Sequence, residues 1–231
     1  MNKIKRIIVG TMAYCFINIK TLLVEKVSFV WSIMLPVVVF WINKSDVKTL
    51  ESLVYYWSYM VISSYVFGLG IYAVETRESG YLKTLFSIND SKISYVFGNI
   101  ITQLIYVFVC LAIFNILVIN EMKYEYLYMT KMSVLVMILC LPIGIGSYVF
   151  LIFRCLYISS VKTIATIFLF LLLIIANYKT YFNVYNLLVL VPRIISGDNT
   201  VLLNYIFLCA ACIILGTIGI CWLSPISKEK R

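Results

Sequence analysis

Six long apolar runs, separated by short charged segments, constrain this chain more than any other feature. They extend over 27–42, 54–74, 93–119, 133–153, 163–176 and 201–223. A bilayer core about 30 Å thick needs roughly 20 apolar residues per helix. A Lys, Arg or Asp at the centre of such a helix costs about 2.5–3.5 kcal/mol, so charges should mark the ends of spans. The pattern predicts an all-α integral membrane protein with six transmembrane helices.

The composition leaves little of the chain for anything else. Of the 231 residues, 63% are hydrophobic and 13% are charged, whereas a soluble domain is about 45–50% apolar and about 25% charged. Six spans would occupy roughly 120 residues. We therefore expect one transmembrane domain over 1–231, with no soluble catalytic domain and no catalytic residues.

The lysines and arginines give the orientation. Segments on the side of the N-terminus carry thirteen of them and the opposite set carries six, while the acidic residues divide five and five. Because cytoplasmic segments are enriched in Lys and Arg, we expect both termini in the cytoplasm. The net charge of +9 is then a topology signal, and nucleic acid is not an expected partner.

The first 26 residues combine an apolar helical stripe with basic residues. Ile4, Ile8 and Cys15 lie at helical spacing, interrupted by Lys5 and Lys20. This pattern is typical of an amphipathic helix in the cytoplasmic interface. A seventh, weak span is the alternative, and it would place the N-terminal basic cluster outside.

The loop 75–92, between the second and third spans, is the most informative segment. It reads ETRESGYLKTLFSINDSK. A charged cluster is followed by Gly80, which permits a sharp turn, and then by apolar residues at the spacing of a short helix. Asn89, Asp90 and Ser91 supply a helix stop and a cap. In the simplest interpretation these charges only fix topology.

The outer segment 177–200 is too apolar for an ordinary loop. Apolar residues between Tyr181 and Val191 precede Pro192, but about ten residues cannot span a bilayer. We predict interfacial or re-entrant helices, broken by Pro192, that form an outer lid over a cavity.

In this order the elements resemble the ABC-2 type permease subunits of bacterial ATP-binding-cassette exporters. The resemblance rests on the basic N-terminal helix, six spans, the segment 75–85 and the apolar outer elements. It implies that 75–92 is a coupling loop contacting an ATPase, with polar contacts from Glu75, Arg77 and Glu78. Gly80 would supply the turn, and Tyr81, Leu82 and Leu85 the apolar docking residues.

The same resemblance implies the partners. The sequence has no GxxxxGK[ST], so this chain holds no cofactor of its own, and ATP and Mg would be bound by ABC ATPase subunits. A second permease, either an identical copy or a paralogue, would complete the transporter. The complex would move an amphipathic or hydrophobic substrate, such as a peptide, toxin, drug or lipid, outward.

The polar residues inside the spans are uncharged, and a proton or ion relay normally needs ionisable side chains. The sequence therefore gives little support to such a relay. We expect Asn99, Thr102, Gln103 and Asn115 to form helix-to-helix hydrogen bonds. An aromatic lining that includes Tyr65 and Phe67 would suit an amphipathic substrate. Tyr55, Tyr56 and Trp57 are expected in an interfacial belt instead. Gly144 and Gly146, after Pro142, would kink or closely pack the fourth span.

Other classes of protein leave weaker signatures. The chain has no histidine, which removes zinc-protease and serine–histidine chemistry, and no span carries a pair of aspartates for an aspartyl mechanism. Without histidine, Cys209 and Cys212 are better explained by packing than by a metal site. A non-transporting immunity or sensor protein remains the alternative. The excess of Lys over Arg, fourteen to five, favours an AT-rich bacterium and its plasma membrane.

Overall fold

A computed structural model describes residues 3–24, 26–44, 47, 49–88, 91–122, 124–153, 157–178 and 181–224. Over these ranges the chain is helical and contains no strand. The helices are α1 (Lys3–Val24), α2 (Lys26–Ile42), α3 (Leu50–Glu78), α4 (Tyr81–Ile88), α5 (Lys92–Glu121), α6 (Tyr126–Ile152), α7 (Ile158–Asn177), α8 (Leu187–Ile195) and α9 (Asn199–Cys221). A separate 3₁₀ helix, Tyr181–Tyr185, lies between α7 and α8. The predicted all-α class is therefore confirmed.

Five of the helices are long and apolar enough to cross a membrane, namely α3, α5, α6, α7 and α9. They correspond to five of the six predicted spans. The remaining run falls on α2, a helix of 17 residues, in which the apolar stretch Ile33–Ile42 is shorter than a span. The side chains of 27–32 lie outside the described residues, so the sixth span stays a prediction.

Contacts between helix ends show that the five long helices alternate in direction. The end of α3 meets the end of α6, since the Arg77 guanidinium donates to the Leu151 carbonyl. It also meets the start of α7 through the Glu75–Lys162 ion pair. At the same end of the bundle, Lys92 in α5 donates to the Cys221 carbonyl in α9. We call this end, which carries α4, the α4 end.

The segments that the charge count predicts to be cytoplasmic thus share one end of the bundle, as far as they are described. Arg154 and the C-terminal residues Lys228, Lys230 and Arg231 lie outside the described residues. The side of the membrane that the α4 end faces stays a prediction from charge.

Helix α3 lies at the centre of the fold. Two thirds of its most apolar stretch is buried, whereas the corresponding share is 17% in α7 and 11% in α9. Trp57 is fully buried and its Nε1 donates to Asn115 Oδ1 at 2.8 Å. The expectation of an interfacial belt is therefore wrong for Trp57. An indole whose N–H finds a buried amide partner can be fully buried.

The expected irregularity of the fourth span is confirmed in α6. Its α-helical turns stop at Cys140, resume over Leu141–Gly146 and continue as a 3₁₀ segment, Ser147–Ile152. Gly216 and Gly219 of α9 pack against α6 so closely that a Cβ on either would lie within 2.2 Å of a carbonyl oxygen, that of Ile145 or Tyr148. Small residues allow this backbone-to-backbone packing.

The outer segment differs from its prediction at Pro192. Residues Leu187–Ile195 form one continuous helix that contains Pro192, so the expected break is wrong. Asn186 caps this helix by accepting from the Leu188 N–H, and its amide donates to the Leu172 carbonyl of α7. Burial of Leu188, Leu190 and Val191 outweighs the one backbone hydrogen bond that proline removes.

An ion pair closes the turn that follows α8. Asp198 accepts from the Thr200 hydroxyl and from Arg193. These hydrogen bonds hold the pKa of the Asp198 carboxyl below its ordinary value.

Helix α1 runs alongside the first third of α5. The Ser94 hydroxyl donates to the Ile7 carbonyl, and the Thr102 hydroxyl lies 3.4 Å from the Cys15 carbonyl. The contacts therefore advance in the same direction along both helices. The opposite face of α1 exposes a stripe that includes Ile8, Met12 and Phe16. A helix is present over the predicted segment, but its course alongside α5, which is long enough to cross a membrane, does not support the predicted position in the plane of the interface.

Candidate functional site

The α3–α4 junction turns at Gly80. Its φ of +77° is the left-handed conformation that glycine adopts at little cost. Helix α4 then lies against the bundle with Leu82, Leu85 and Phe86 buried. The Tyr14 hydroxyl of α1 donates to the Leu85 carbonyl, so α4 is held from two sides.

The opposite face of α4 is available to a partner. Among the side chains of this helix that the structure describes, the exposed ones are Tyr81, Lys83, Thr84 and Ser87. We call these four the α4 outer face. It is polar apart from the Tyr81 ring, whereas Leu82 and Leu85, predicted as docking residues, already fill the interior.

Arg77 fastens the junction to the rest of the bundle. Its side chain is 2% exposed and donates to the carbonyls of Leu151 at 2.6 Å and Phe153 at 3.4 Å. These carbonyls end the 3₁₀ segment of α6, where backbone acceptors lack helical partners. The Arg77 Nε also pairs with Glu78, whose side chain is 6% exposed. Arg77 is therefore a buried link between α3 and α6.

A cavity of about 480 Å³ opens beside this link. Its walls come from α1, α3 and α5, and Lys162 of α7 lies at its rim. The polar wall includes side chains that the sequence places in three different segments: Asn18, Thr21, Ser64, Asn99, Thr102 and Gln103. The apolar wall includes Leu22, Phe67 and Ile71. A cavity with both kinds of wall suits an amphipathic guest.

An irregular turn of α3 shapes the polar wall. Val66–Ile71 is π-helical, and such segments often occur at functional sites. The Gln103 amide reaches across and donates to the Ser64 carbonyl at 2.9 Å. It fits because residue 68 is glycine, since a Cβ there would lie 2.2 Å from Gln103 Oε1.

A hydrogen-bond network joins α1, α3 and α5 at the cavity. Asn18 Nδ2 donates to Asn99 Oδ1 at 2.6 Å, and the Tyr72 hydroxyl donates to Asn18 Oδ1 at 3.1 Å. Asn99, Thr102, Gln103 and Asn115 all bond to other helices, as the sequence predicts.

Some polar atoms beside this network have no hydrogen-bond partner among the described residues. They include Asn99 Nδ2 and the Tyr95 and Tyr148 hydroxyls, on side chains that are 0–3% exposed. Asn99 neighbours both hydroxyls. Because these atoms are buried and neither tyrosine lines the cavity, the cluster is packed beside the cavity and does not open into it.

The rim of the cavity carries opposite charges. Glu75 and Lys162 form an ion pair with side chains 37% and 49% exposed. A second hollow, of about 340 Å³, shares Thr21, Tyr72 and Glu75 with the cavity and extends to Tyr81 of α4. The cavity and the α4 outer face therefore adjoin through Glu75.

The predicted site residues are thus divided between three places. Glu75 lies at the cavity rim, Arg77 and Glu78 lie in the interior, and Tyr81 lies on the α4 outer face. Gly80 makes the turn. Sequence reasoning missed Asn18, Thr21 and Lys162, although Asn18 interrupts an otherwise apolar stripe of α1, which is the signal that could have identified it.

The chain matches no protein-family model, no curated protein and no solved structure. The fold is all-helical, and its long apolar helices are compatible with a multi-pass membrane protein.

Proposed function

We propose that this chain is a permease subunit of a bacterial ATP-binding-cassette exporter, in which separate ATPase subunits bind ATP and Mg. The observation that carries the proposal is the attachment of α4. One face of this short helix is buried through Leu82 and Leu85, while the α4 outer face is free to contact a partner.

A force on α4 would reach the spans by two routes. Arg77 ties the end of α3 to the end of α6 by hydrogen bonds to backbone carbonyls, and Tyr14 ties α4 to α1. Because packed helices move as rigid bodies, displacement of α4 would shift several helices together. This is the property that a coupling helix requires.

The partners follow from the same interpretation. ATPase subunits would dock on the α4 outer face from the cytoplasm. A second permease, identical or paralogous, would cover part of the exposed apolar surface of α7 and α9. The substrate is an amphipathic or hydrophobic molecule, exported from a bacterial plasma membrane.

The test begins with co-purification of the tagged full chain from its own host membranes, with identification of the bound proteins. In the reconstituted complex, Lys83→Glu and Tyr81→Ala should lower ATPase stimulation several-fold, because both change the α4 outer face without touching the core. Leu85 and Glu78 are poorer probes, since their side chains are buried.

The matched control is Lys131→Glu. Lys131 is an exposed lysine near the start of α6, at the opposite end of the bundle. It should leave ATPase stimulation unchanged. Equal activity of Lys83→Glu, Tyr81→Ala and wild type would contradict the coupling role of α4. Isolation of the chain without any ATPase would instead favour a non-transporting immunity or sensor protein.

A further inference from the structure

Two irregular helical segments face each other beside the cavity. The 3₁₀ segment of α6, Ser147–Ile152, packs against the π-helical segment of α3, Val66–Ile71. A Cβ on Gly70 of the π-helical segment would lie 2.6 Å from the Ser147 carbonyl oxygen. The π-helical segment also contributes Phe67 to the wall of the cavity. A change in the length of the 3₁₀ segment would therefore act on that wall.

The 3₁₀ segment is longer than such segments usually are. It has six residues, whereas 3₁₀ runs beyond about three or four residues are uncommon, because their hydrogen-bond geometry is poorer than that of an α-helix. The same residues would be shorter as an α-helix, since a residue advances about 2.0 Å in a 3₁₀-helix and about 1.5 Å in an α-helix. Conversion of the whole segment would shorten α6 by about 3 Å. Contacts outside the segment must therefore favour the longer form.

The start of the segment is fixed against its neighbours. The Ser147 hydroxyl lies 3.4 Å from the Tyr65 carbonyl oxygen of α3. Gly219 of α9 packs so closely on Tyr148 that a Cβ on the glycine would lie 2.0 Å from the Tyr148 carbonyl oxygen. Backbones packed at this distance leave little room for one helix to slide past the other. A shorter segment would therefore displace its far end and leave its start in place.

Arg77 holds the far end. Its guanidinium donates to the Leu151 carbonyl at 2.6 Å and to the Phe153 carbonyl at 3.4 Å. The arginine is itself buried and paired with Glu78. A return to α-helix would draw the two carbonyls away from Arg77 by about 2–3 Å, which is beyond the reach of a hydrogen bond. The 3₁₀ form and the Arg77 contacts therefore depend on each other.

We propose that 147–152 is an extensible segment, which keeps its long 3₁₀ form while Arg77 holds the Leu151 and Phe153 carbonyls and returns to a shorter α-helix when those contacts open. The conversion moves the end of α6 by about 3 Å relative to the π-helical segment that forms the cavity wall. As a step in export this movement rests on the proposed function, whereas the change in length is a property of the chain alone.

The test is the distance between two spin-labelled noncanonical residues that replace Lys131 and Phe153, measured by pulsed electron paramagnetic resonance on the purified full chain. Both side chains are exposed, one near each end of α6. Arg77→Leu should shorten the distance by about 3 Å, because it removes both hydrogen bonds at the far end.

A second variant provides a result if Arg77→Leu does not fold. Arg77→Lys keeps the charge beside Glu78 but loses the planar group that reaches two carbonyls at once. It should therefore give a second population of distances, shorter by about 3 Å. Arg193→Lys is the matched control, because it makes the same replacement in α8, where Arg193 pairs with Asp198 at the opposite end of the bundle. It should leave the distance unchanged.

Two outcomes would overturn the proposal. A wild-type distance in every Arg77 variant that folds would show that the 3₁₀ form does not depend on Arg77. A longer distance would show that the segment does not shorten when its end is released. The measurement uses the chain without an ATPase, so its failure is separate from a failure to co-purify an ATPase, which bears on the proposed function.

Discussion

Arg77 illustrates how one residue can have a different role from the one its sequence context suggests. In the sequence it belongs to a charged cluster after an apolar run, which indicates a solvated segment end. In the structure it is buried and satisfies backbone carbonyls of α6. The difference depends on α6, which lies about 75 positions further along the chain and whose 3₁₀ segment leaves these acceptors open.

Replacing Arg77 by leucine should lower the free energy of unfolding by about 3–5 kcal/mol, because the substitution removes a buried ion pair with Glu78 and the donor to two carbonyls at the end of α6. Thermal unfolding of the purified chain in one detergent measures the change. Arg193→Leu is the matched control. It removes the Arg193–Asp198 pair, whose arginine is 43% exposed, and should cost about 0–1 kcal/mol. Equal losses in the two variants would show that Arg77 is not a structural link.

Asn99 and Gln103 show what residue-level reasoning can supply. Uncharged polar residues inside apolar runs predict hydrogen bonds between helices, and both form them. The cavity they line was not predictable in the same way. It depends on Asn18 of α1 and on the π-helical segment of α3, and no local pattern specifies how those two elements meet.

Among the helices, the length of an apolar run was the feature that predicted structure most reliably. Five predicted spans correspond to five helices of sufficient length, because the hydrophobic pattern alone decides them. The interruption at Pro192 was predicted wrongly, since tertiary burial of α8 compensates for a missing backbone hydrogen bond. The close crossing of α6 and α9 was predictable only in part, because Gly144 and Gly146 follow Pro142 in a predicted span, whereas no local pattern distinguishes Gly216 and Gly219.

The crossing of α6 and α9 gives an element-scale prediction. Gly219→Ala should destabilise the chain by about 1–3 kcal/mol, because the new Cβ would lie 2.0 Å from the Tyr148 carbonyl oxygen. Thr217→Ala, at an exposed position of the same helix, is the control and should change stability much less. Thermal unfolding of both variants in detergent measures the difference. Wild-type stability of Gly219→Ala would mean that the two helices are further apart than described.

For the whole molecule, the charge pattern and the alternating directions of the helices agree on which segments lie at the same end of the bundle. The positive-inside count groups loops by side, and contacts such as Lys92 with Cys221 bring described parts of those loops to the same end. The sequence therefore anticipated which segments lie together. It could not anticipate that Leu82 and Leu85 would pack inward, because an amphipathic helix does not specify whether its apolar face covers its own chain or a partner.

In the function that we propose, energy enters the helices through the α4 outer face from a separate ATPase. The most direct measurement places a photo-crosslinking residue at Thr84, which is exposed on α4, in intact cells that express the full chain. We expect a crosslinked product that contains an ATP-binding-cassette ATPase, and no such product from a crosslinker at Lys131. Absence of the ATPase from the Thr84 product, or an equal yield from both positions, would contradict the proposed function.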